Sequence, residues 1–475
     1  MAYGTALEQQ LYYNAPYFIK NAMTSLYGWL QKGDRYGKFY QQYFQTLLST
    51  QWYHHERLKE YQFHRVKQFL VHAQQHCKFY RKLFQDYGFE PAKLRALSEL
   101  SVLPILDKET IRANLQDIVP DNLKEYQVRR VHTSGTTGTG LRFPVSSECF
   151  QREYAFRFLH YSWGGVQDGE KFAFCSGHPV TYYDRRRPPF WAYDQANSWL
   201  LLSSYHLTEK NLPHYIAELD NFEPVLLAGY PSSLYLLALA NQHLGRRVRP
   251  RAIYTASETL FDSQRRAIEE SFGCKVFMWY GNTEMCANIV ECEQGIYHLK
   301  LEHSYVELLG SDSRPVPTGS EGRLVCTGFG NYALPLIRYD VGDVATESDQ
   351  SNCECGRGGI IIKRVVGRIE DYVVTPDGRI VGRLDHLFKD AVRVKLAQII
   401  QNTRDEVTLR IVKRLDYNSA DETEILREAR VRLGSSINIR FEYVEEIERT
   451  QNGKFRFIIS NLKDQDLKDR LSRPT

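Results

Sequence analysis

The sequence predicts an α/β protein with a large N-terminal domain of mixed or parallel sheets and helices, followed by a small, mobile α+β domain. Apolar residues recur at helical spacing early in the chain, and from about residue 170 short β-branched runs alternate with helical stretches. Near the C-terminus, β segments surround one helical stretch. The 475 residues, 43% of them hydrophobic, are enough for two or three domains with substantial cores.

Charge, apolar stretches and cysteine count limit the binding partners and the cellular compartment that we expect. The 61 basic and 57 acidic residues leave a net charge of +4, which predicts no nucleic-acid partner, and the run Arg185–Arg187 is interpreted as solvated loop charge. The start of the chain lacks the basic region and apolar core of a signal peptide, and no uninterrupted apolar stretch is long enough to span a membrane. Nine cysteines, an odd number, fit a reducing compartment, so we expect a cytoplasmic protein.

Residues 1–125 are predicted to form the helical part of the large domain. From Leu58 to Ala73 the apolar residues follow helical spacing and give one buried stripe. The aromatic-rich start allows two interpretations, an interfacial amphipathic helix or a segment packed against the body of the protein, and the second is favoured. Its rings belong to Tyr12, Tyr13, Tyr17, Phe18, Tyr27 and Trp29.

Strands and helices alternate in the middle of the chain. The apolar runs "PVLLA", "RAIYTA" and "CKVFMWY" are separated by the helical stretches "SSLYLLALANQHL" and "FDSQRRAIEESF", which predicts parallel strands joined by right-handed crossovers. Ligands bind such sheets beyond the C-terminal ends of the strands. The polar segments Gly229–Ser233, Ser257–Thr259 and Tyr280–Glu284 should therefore meet at one edge of the sheet.

The last part of the chain has a different pattern. After residue 320 the runs "EGRLVCTGF" and "LPLIRYDVGDVAT" are β-rich, and "TPDG" at Thr375–Gly378 predicts a tight turn between strands. The β segments "EVTLRIVKR" and "NIRFEYVEEI" then flank the helical "DETEILREARVRLG". Residues 371–475 are therefore predicted to form the small C-terminal domain.

One loop is unusually rich in glycine and small hydroxyl side chains. The stretch "TSGTTGTG", Thr133–Gly140, offers backbone N–H groups that can approach a ligand closely and hydroxyl donors suited to phosphate oxygens. An ordinary surface loop is the alternative. A Walker A loop is excluded, because Leu141 and not lysine follows the last glycine.

The glycine-rich loop is one of five motifs that together resemble a known family. The stretches "TSGTTGTG", "YGNTE", "IRYDVGD", "GRIED" and "NGKFR" resemble, in this order, the motifs of the adenylate-forming superfamily of acyl-CoA synthetases, luciferases and peptide-synthetase adenylation domains. The stretches "LPILDKETIRANL", "ALPLIRYDVGD" and "CECGR" narrow the resemblance to the phenylacetate-CoA-ligase-like branch, including relatives from capsular-polysaccharide gene clusters. The resemblance covers nearly the whole chain, most loosely residues 1–50.

The resemblance implies ATP-dependent activation of a carboxylic acid. A carboxylate would attack the α-phosphorus of ATP, giving an acyl-adenylate and pyrophosphate, and the acyl group would pass to an acceptor, with coenzyme A favoured. Residues 126–370 would be the ATP- and carboxylate-binding core, and residues 371–475 would carry the catalytic lysine. Such chemistry needs mainly positioning and charge neutralisation from the protein.

The resemblance also assigns site residues. Thr283 would contact the α-phosphate, and Glu284 would help to hold Mg²⁺, which prefers carboxylate and phosphate oxygens. The β- and γ-phosphates would lie against Thr133, Ser134, Gly135, Thr136, Thr137 and Gly138. The rest of the nucleotide would contact Ser257, Glu258, Tyr280, Gly281, Asp343 and Arg368. Tyr280 would pack along the adenine, and Asp343 would accept from the ribose hydroxyls.

Two residues connect the chemistry to the small domain. Lys454 follows the turn-forming Asn452-Gly453 and lies where the family places its adenylation lysine, whose ammonium would stabilise charge in the transition state. Asp371 matches the family's hinge position, about which the small domain would rotate after adenylation.

A second cluster of residues is suited to a metal. Cys292, His298, Cys353 and Cys355 offer three thiolates and one imidazole, a donor set typical of tetrahedral Zn²⁺, and some relatives in the family carry a structural zinc in the corresponding segments. Unrelated reduced cysteines are the alternative. Cys286 or His303 could substitute as a ligand.

The acceptor, the acid and the oligomeric state stay open at this stage. The acceptor could be a thiol, giving a thioester, or an amine such as an amino sugar, giving an amide in polysaccharide biosynthesis. A non-catalytic nucleotide-binding relative is the alternative class, and the intact Glu284, Asp343, Arg368 and Lys454 argue against it. A mixed aromatic and polar pocket for the acid is suggested by Tyr230, His178, Tyr182 and Tyr183. A homodimer is one option for assembly.

Overall fold

The computed structural model describes residues 11–132, 141–177, 180–182, 185–366, 372–381, 384–388, 393–447 and 457–462. Eleven α-helices and twenty strands have their bounds within these ranges. The elements form one large sheet with helices on it, and a smaller sheet with its own core.

Helices dominate the part of the chain before the first strand, as predicted. They are α1 (Tyr17–Arg35), α2 (Lys38–Thr50), α3 (His55–His76), α4 (Lys78–Asp86), α5 (Lys108–Ala113) and α6 (Leu115–Ile118). The stripe from Leu58 to Ala73 is buried and shares a core with the strands of the large sheet. The helical region is therefore a layer of the large domain.

A β-hairpin leads from this layer into a long buried helix. Strands β1 (Val128–His132) and β2 (Arg142–Ser146) pair antiparallel, and α7 (Ser147–Trp163) follows directly. The Ser146 hydroxyl accepts a hydrogen bond from the backbone N–H of Cys149 at 3.1 Å, which caps the N-terminus of α7. The glycine-rich stretch 133–140 between β1 and β2 lies outside the described residues.

One twelve-stranded sheet forms the body of the large domain. Its strands are β3 (Phe172–Ser176), β4 (Trp191–Asp194), β5 (Trp199–Ser203), β6 (Leu226–Gly229), β7 (Ala252–Ala256), β8 (Val276–Gly281), β9 (Asn288–Glu291), β10 (Tyr297–Leu299), β11 (Tyr305–Leu309), β12 (Glu321–Gly328), β13 (Leu336–Glu347) and β14 (Ile360–Val366). Their spatial order is β11-β12-β13-β14-β10-β9-β8-β7-β6-β3-β5-β4.

The sheet is antiparallel on one side of β8 and parallel on the other as far as β5, beyond which the edge strand β4 pairs antiparallel. Strands β5, β3, β6, β7 and β8 are parallel neighbours, and α8 (Leu212–Phe222), α9 (Pro231–His243) and α10 (Asp262–Phe272) alternate with them along the chain. From β8 to β11 every neighbouring pair is antiparallel. The predicted parallel strands and the predicted α/β class are confirmed.

The small domain has a separate sheet and core. It contains β15 (Val373–Val374), β16 (Ile380–Val381), β17 (Val394–Thr403), β18 (Glu406–Lys413), α11 (Ser419–Leu433), β19 (Asn438–Tyr443) and β20 (Ile458–Ser460). Four of the strands pair in the order β19-β18-β17-β20. The predicted turn at Thr375–Gly378 joins β15 to β16, and the Gly378 N–H donates to the Thr375 carbonyl at 2.9 Å. The predicted boundary at residue 371 lies outside the described residues.

The aromatic start of the chain is placed differently from expectation. Tyr12 is buried, but Phe18 and Trp29 are 74% and 62% exposed, so packing of the whole aromatic set against the body is wrong. Helix α1 does dock on the large domain, through the residues Lys20, Thr24 and Gly28 on its other face. None of the described helices has the length and apolar character needed to cross a membrane.

A buried arginine connects the small domain to the large one. The Arg379 guanidinium donates to the backbone carbonyls of Arg432 and Leu433 in the small domain at 3.0 and 2.7 Å, and to that of Tyr205 in the large domain at 2.9 Å. Its Nε also pairs with Asp377 at 3.0 Å. One side chain therefore satisfies backbone acceptors on both sides of the domain contact.

We expect Arg379→Ala to lower the free energy of unfolding of the small domain by about 2–4 kcal/mol, because it removes charge-assisted hydrogen bonds from buried carbonyls. Arg427→Ala, which removes an exposed arginine on α11, is the control and should cost less than about 0.5 kcal/mol. Urea denaturation of the full chain measures both variants. Equal stability of the two would contradict a structural role for Arg379.

Candidate active site and metal centre

The three polar segments that follow the parallel strands lie at the same edge of the sheet. The pairs Gly229 with Thr255 and Ala256 with Trp279 are neighbours in register, so β6, β7 and β8 end side by side. This edge is where open α/β sheets bind ligands. The structure therefore brings together the segments on which the sequence places a site.

Glu258 connects two of these segments. Its Oε2 accepts a hydrogen bond from the backbone N–H of Ser232 at 3.1 Å, in the first turn of α9. The N-cap residue of α9, Tyr230, makes no side-chain cap, so the Glu258 carboxylate performs that role for the helix. Ser257 precedes it with a positive φ of 74°, a conformation that turns the chain sharply after β7. The sequence assigned Glu258 to the nucleotide and did not foresee this capping contact.

Two tyrosine–carboxylate pairs hold the loop after β8 against β13. The Tyr280 hydroxyl, at the end of β8, donates to Asp343 Oδ2 at 2.7 Å, and the Tyr339 hydroxyl of β13 donates to Glu284 Oε1 at 3.0 Å. Burial and the neighbouring Asp343 carboxylate raise the pKa of Tyr280 well above its usual value, so this phenol remains a donor at neutral pH. Each element supplies one hydroxyl and one carboxylate, which fixes both carboxylates relative to each other.

These two contacts also show that the sheet is strongly curved. Three strands, β9, β10 and β14, separate β8 from β13 in the hydrogen-bonded order, yet the two elements are in side-chain contact. The sheet must therefore curl strongly in its antiparallel half, as twisted sheets do. Sequence reasoning missed Tyr339, although it lies in the same "RYDVGD" motif as Asp343.

An ion pair positions Arg338, the first residue of the "RYDVGD" motif. Arg338 has a positive φ of 49°, and its guanidinium makes two 3.0 Å bonds to the Glu307 carboxylate of β11. It also donates to the backbone carbonyls of Leu103 and Ser101 in the helical layer. Both charged side chains are buried, with 4% and 9% exposure. Arg338 therefore holds β13 to the sheet and to the helices at once.

The other predicted site residues divide into two groups. Gly281 at the end of β8 and Thr283 on the loop that follows are both exposed, where a ligand could reach them. The remaining predicted residues lie outside the part of the chain that the structure describes: Thr133, Ser134, Gly135, Thr136, Thr137, Gly138, Arg368, Asp371, Lys454, His178 and Tyr183. Their roles stay predictions.

The four predicted metal ligands converge. The ligand atoms of Cys292, His298, Cys353 and Cys355 all lie within 4.8 Å of one another. The Cys292 and Cys353 sulfurs are 3.7 Å apart, close to the roughly 3.8 Å edge of a tetrahedron with Zn–S bonds of about 2.3 Å. The Cys355 sulfur is 3.4 Å from His298 Nε2. This donor set and spacing fit a zinc ion.

The electrostatics of the cluster also suit a metal. Burial lowers the pKa of His298 to about 3, which keeps the imidazole neutral and able to coordinate. Burial raises the pKa of Cys292 to about 12, so a metal ion would have to displace the thiol proton. The two substitute ligands are excluded: His303 pairs with Glu153 at 2.6 Å, and Cys286 accepts from the Asn282 amide at 3.1 Å.

Arg357 holds the loop that carries Cys353 and Cys355 against the helical layer. Its guanidinium forms two bonds to Glu293, at 2.8 and 2.7 Å, and stacks over the rings of Trp163 and Trp52, with centroids at 3.9 and 5.0 Å. A Cβ on Gly358 would overlap the Tyr53 carbonyl, so only glycine permits this close approach. The cluster therefore connects the antiparallel strands to the N-terminal helices.

A cavity of about 120 Å³ lies between α7 and the sheet. Its lining is mostly aromatic, with one arginine and one serine: Tyr36, Tyr154, Arg157, Phe158, Tyr161, Phe172, Phe174, Ser176, Trp199 and Leu201. Ser176 ends β3, and the next residue, Gly177, packs against the Tyr230 hydroxyl at the edge where the polar segments meet. The cavity walls differ from the predicted pocket, because Tyr230 and Tyr182 are not among the lining residues.

Comparison with known proteins gives a consistent answer. The protein CapK of Staphylococcus aureus is 27% identical over 464 residues, which cover 95% of this chain and 99% of CapK. A phenylacetate-coenzyme A ligase of Thermus thermophilus is 26% identical over 355 residues, 67% of this chain and 72% of the ligase. A family model described as the CapK C-terminal domain matches residues 373–461. These matches cover both the large and the small domain.

Solved structures support the fold. The crystal structure of 2-hydroxyisobutyryl-CoA ligase in the thioesterification state aligns with a TM-score of 0.57 and 19% identity, over 88% of this chain and 92% of that chain. The phenylacetate-coenzyme A ligase relatives support an AMP-forming carboxylate ligase of the acid–thiol type. These matches support a place in the adenylate-forming superfamily, in the phenylacetate-CoA-ligase-like and CapK-related branch.

We expect Arg338→Leu to lower the free energy of unfolding by about 3–5 kcal/mol, because it leaves the Glu307 carboxylate buried and unpaired. The double variant Arg338→Leu/Glu307→Leu should recover most of that loss, since no buried charge remains. Arg246→Leu, which breaks an exposed pair with Asp220, is the control and should cost less than about 1 kcal/mol. Urea denaturation gives these values, and a double variant no more stable than the single one would disprove the ion-pair role.

Proposed function

We propose that this chain activates a compact carboxylic acid with ATP and transfers the acyl group to coenzyme A. In the first step a carboxylate oxygen attacks the α-phosphorus, the bond to the β-phosphate breaks, and pyrophosphate leaves. In the second step the thiol sulfur attacks the acyl carbon, the bond from that carbon to the AMP oxygen breaks, AMP leaves, and the thiol proton is released to solvent. Atoms and charge balance without an oxidant or reductant.

The observation that carries the proposal is the pair of tyrosine–carboxylate contacts. Tyr280 fixes Asp343, and Tyr339 fixes Glu284, at the edge of the sheet where ligands bind. A preorganised carboxylate needs no reorganisation when the ligand arrives. Asp343 would accept hydrogen bonds from the ribose hydroxyls, and Glu284 would hold Mg²⁺ together with phosphate oxygens.

The remaining contacts to the nucleotide follow from the family motifs. Residues 133–138 would surround the β- and γ-phosphates, Thr283 the α-phosphate, and Arg368 the ribose. The exposure of Gly281 at the end of β8 and of Thr283 on the following loop is consistent with direct contact to the nucleotide. Lys454, on the small domain, would complete the site when the domains close, and rotation about Asp371 would then remove it for the transfer step.

The aromatic cavity supports an acid with a compact body. Its volume of about 120 Å³ approaches that of the roughly 150 Å³ engineered cavity that admits benzene. The Ser176 end of the cavity lies beside Tyr230, near the Glu258–Ser232 contact. We propose that the acid places an aromatic or branched aliphatic group here and its carboxylate toward the sheet edge.

The experiment is ATP–pyrophosphate exchange with a panel of acids, followed by product analysis with coenzyme A or amino sugars as acceptor. Compact aryl and branched-chain acids should support exchange, and long-chain fatty acids should not. Acyl-CoA should form in the second step. Exchange with no acid in the panel would refute the activation step, whereas amide formation without thioester would refute the choice of acceptor.

We expect Lys454→Ala to slow pyrophosphate exchange by about 10²–10³ while ATP binding is retained, because one transition-state contact is lost. Lys395→Ala removes an exposed lysine of the small domain on β17 and serves as the control, which should keep normal exchange. Isothermal titration with ATP separates binding from chemistry. Normal exchange in the Lys454 variant would exclude it from the mechanism.

We also propose that Cys292, His298, Cys353 and Cys355 hold a structural zinc ion. A closed set of four protein ligands leaves no position for substrate, so the ion would contribute folding free energy and not catalysis. The contacts of Arg357 support this role, because the cluster lies where the loop meets the N-terminal helices.

The double variant Cys353→Ser/Cys355→Ser should lose stoichiometric zinc and unfold at lower temperature, because metal-binding energy becomes folding energy. The half-buried Cys274 lies outside the cluster, so Cys274→Ser is the control that should keep both properties. Elemental analysis and calorimetry measure them together. Wild-type protein purified without chelator that contains no stoichiometric zinc would contradict the proposal.

A further inference from the structure

Helix α1 buries polar and small residues and exposes large apolar ones, which is the reverse of an ordinary surface helix. The buried side carries Lys20, Thr24 and Gly28, two polar residues and one without a side chain. The opposite side carries large apolar residues, and Leu26 and Leu30 are each 58% exposed. A helix at the surface of a globular protein normally turns its apolar stripe toward the core.

The orientation of α1 is fixed by specific polar contacts. The Lys20 ammonium donates to Thr181 Oγ1 at 3.4 Å, and the backbone N–H of Tyr193 on the edge strand β4 donates to Asn21 Oδ1 at 3.1 Å. A Cβ on Gly28 would overlap the carboxylate of Asp194. Rotation of α1 about its axis would break these contacts and drive side chains into β4, so the apolar face is held outward.

The outward residues form one continuous stripe. Phe18, Ala22, Leu26 and Trp29 are spaced by four, four and three positions, and Leu30 lies beside Trp29. The helix has 19 residues, which corresponds to a length of roughly 28 Å. A contiguous apolar strip of this kind on a protein surface indicates an interaction site.

A loop with three arginines lies beside the N-terminal part of α1. It begins after Thr181, which accepts a hydrogen bond from Lys20 at 3.4 Å, and the backbone N–H of Arg185 donates to the Tyr182 carbonyl at 3.1 Å. Arg186 and Arg187 follow on the same loop and are exposed. Lys32 adds an exposed cation near the C-terminal end of the helix.

Two of the described acidic residues near α1 have specific partners. Asp34 forms an ion pair with Arg129 at 2.8 Å, and Glu218 accepts the hydroxyl of Tyr193. In the described part of the chain, the exposed cations Lys32, Arg186 and Arg187 lie near an apolar strip that contains tryptophan and phenylalanine. This combination is typical of helices that lie in the interface of an anionic membrane.

We propose that α1 and the Arg185–Arg187 loop form a docking surface for an anionic phospholipid membrane. The helix lies in the interface with Phe18, Leu26, Trp29 and Leu30 inserted among the acyl chains, and the arginines contact phosphate headgroups. A second copy of the chain fits less well. A two-fold contact between α1 helices would bring the like-charged arginine loops of the two copies toward each other.

The test is flotation of the full chain with phosphatidylcholine vesicles containing about one third phosphatidylglycerol, compared with phosphatidylcholine alone. The wild-type protein should bind the anionic vesicles, and binding should weaken as salt is raised. Leu26→Ser/Trp29→Ser/Leu30→Ser should lower the partition coefficient by at least ~10-fold, because it removes three inserting side chains. Arg186→Gln/Arg187→Gln should remove most of the preference for anionic lipid.

A matched control variant tests whether the loss of vesicle binding is specific to α1. Phe261→Ser/Leu415→Ser removes two exposed apolar residues elsewhere and should bind vesicles as the wild type does. Circular dichroism must show that all variants fold. No binding of wild-type protein, or equal binding by the α1 variant, would overturn the proposal. A dimer in light scattering that dissociates in the α1 variant, without vesicle binding, would assign the stripe to a second copy instead.

Discussion

The change from parallel to antiparallel pairing at β8 is the constraint on which both functional clusters depend. Parallel strands need a helical crossover, but an antiparallel return needs only a short loop. The chain leaves β8 at Gly281, turns through Thr283 and Glu284, and returns along β9 to Cys292. The loop with the proposed magnesium ligand therefore precedes β9, and the proposed zinc ligand Cys292 directly follows it. Displacement of β9 would disturb both.

Buried charged side chains connect parts of the chain that are distant in sequence. Arg338 bonds to β11 and to the helical layer, Arg357 connects the loop around residues 353–355 to Trp52 and Trp163, and Arg379 bridges the small and large domains. Guanidinium groups suit this role, because they offer several donors in a fixed plane and also stack on aromatic rings. Each one satisfies carbonyls or carboxylates that would otherwise be costly to bury.

The proposed function and the proposed membrane surface use different parts of the large domain. The proposed nucleotide site lies at the ends of β6, β7 and β8, whereas α1 packs on β4 at the far edge of the same sheet. The aromatic cavity lies between them, with a wall that includes Tyr36, the residue directly after α1. This arrangement would keep the acid-binding region close to a docked membrane while the nucleotide edge and the small domain stay in water.

Much of the architecture follows from the sequence alone. Alternating runs such as "RAIYTA" and "FDSQRRAIEESF" predict parallel strands and crossovers because periodicity is a local property of the chain. The motifs "YGNTE" and "RYDVGD" indicate the family, and the four metal ligands can be named from their residue types. The turn at Thr375–Gly378 is predictable for the same reason, since its conformation depends on neighbouring residues.

Other features depend on contacts between distant segments and appear only in the tertiary structure. The pairing of Tyr339 with Glu284 requires the sheet to curl until β13 meets β8, and the capping of α9 by Glu258 requires two loops to meet. The exclusion of His303 as a metal ligand follows from its buried pair with Glu153. The sequence predicts the apolar stripe of α1, but it does not predict whether that stripe faces the core or the solvent. Periodicity fixes which residues share a face, whereas only the fit of Gly28 against Asp194 decides which face is buried.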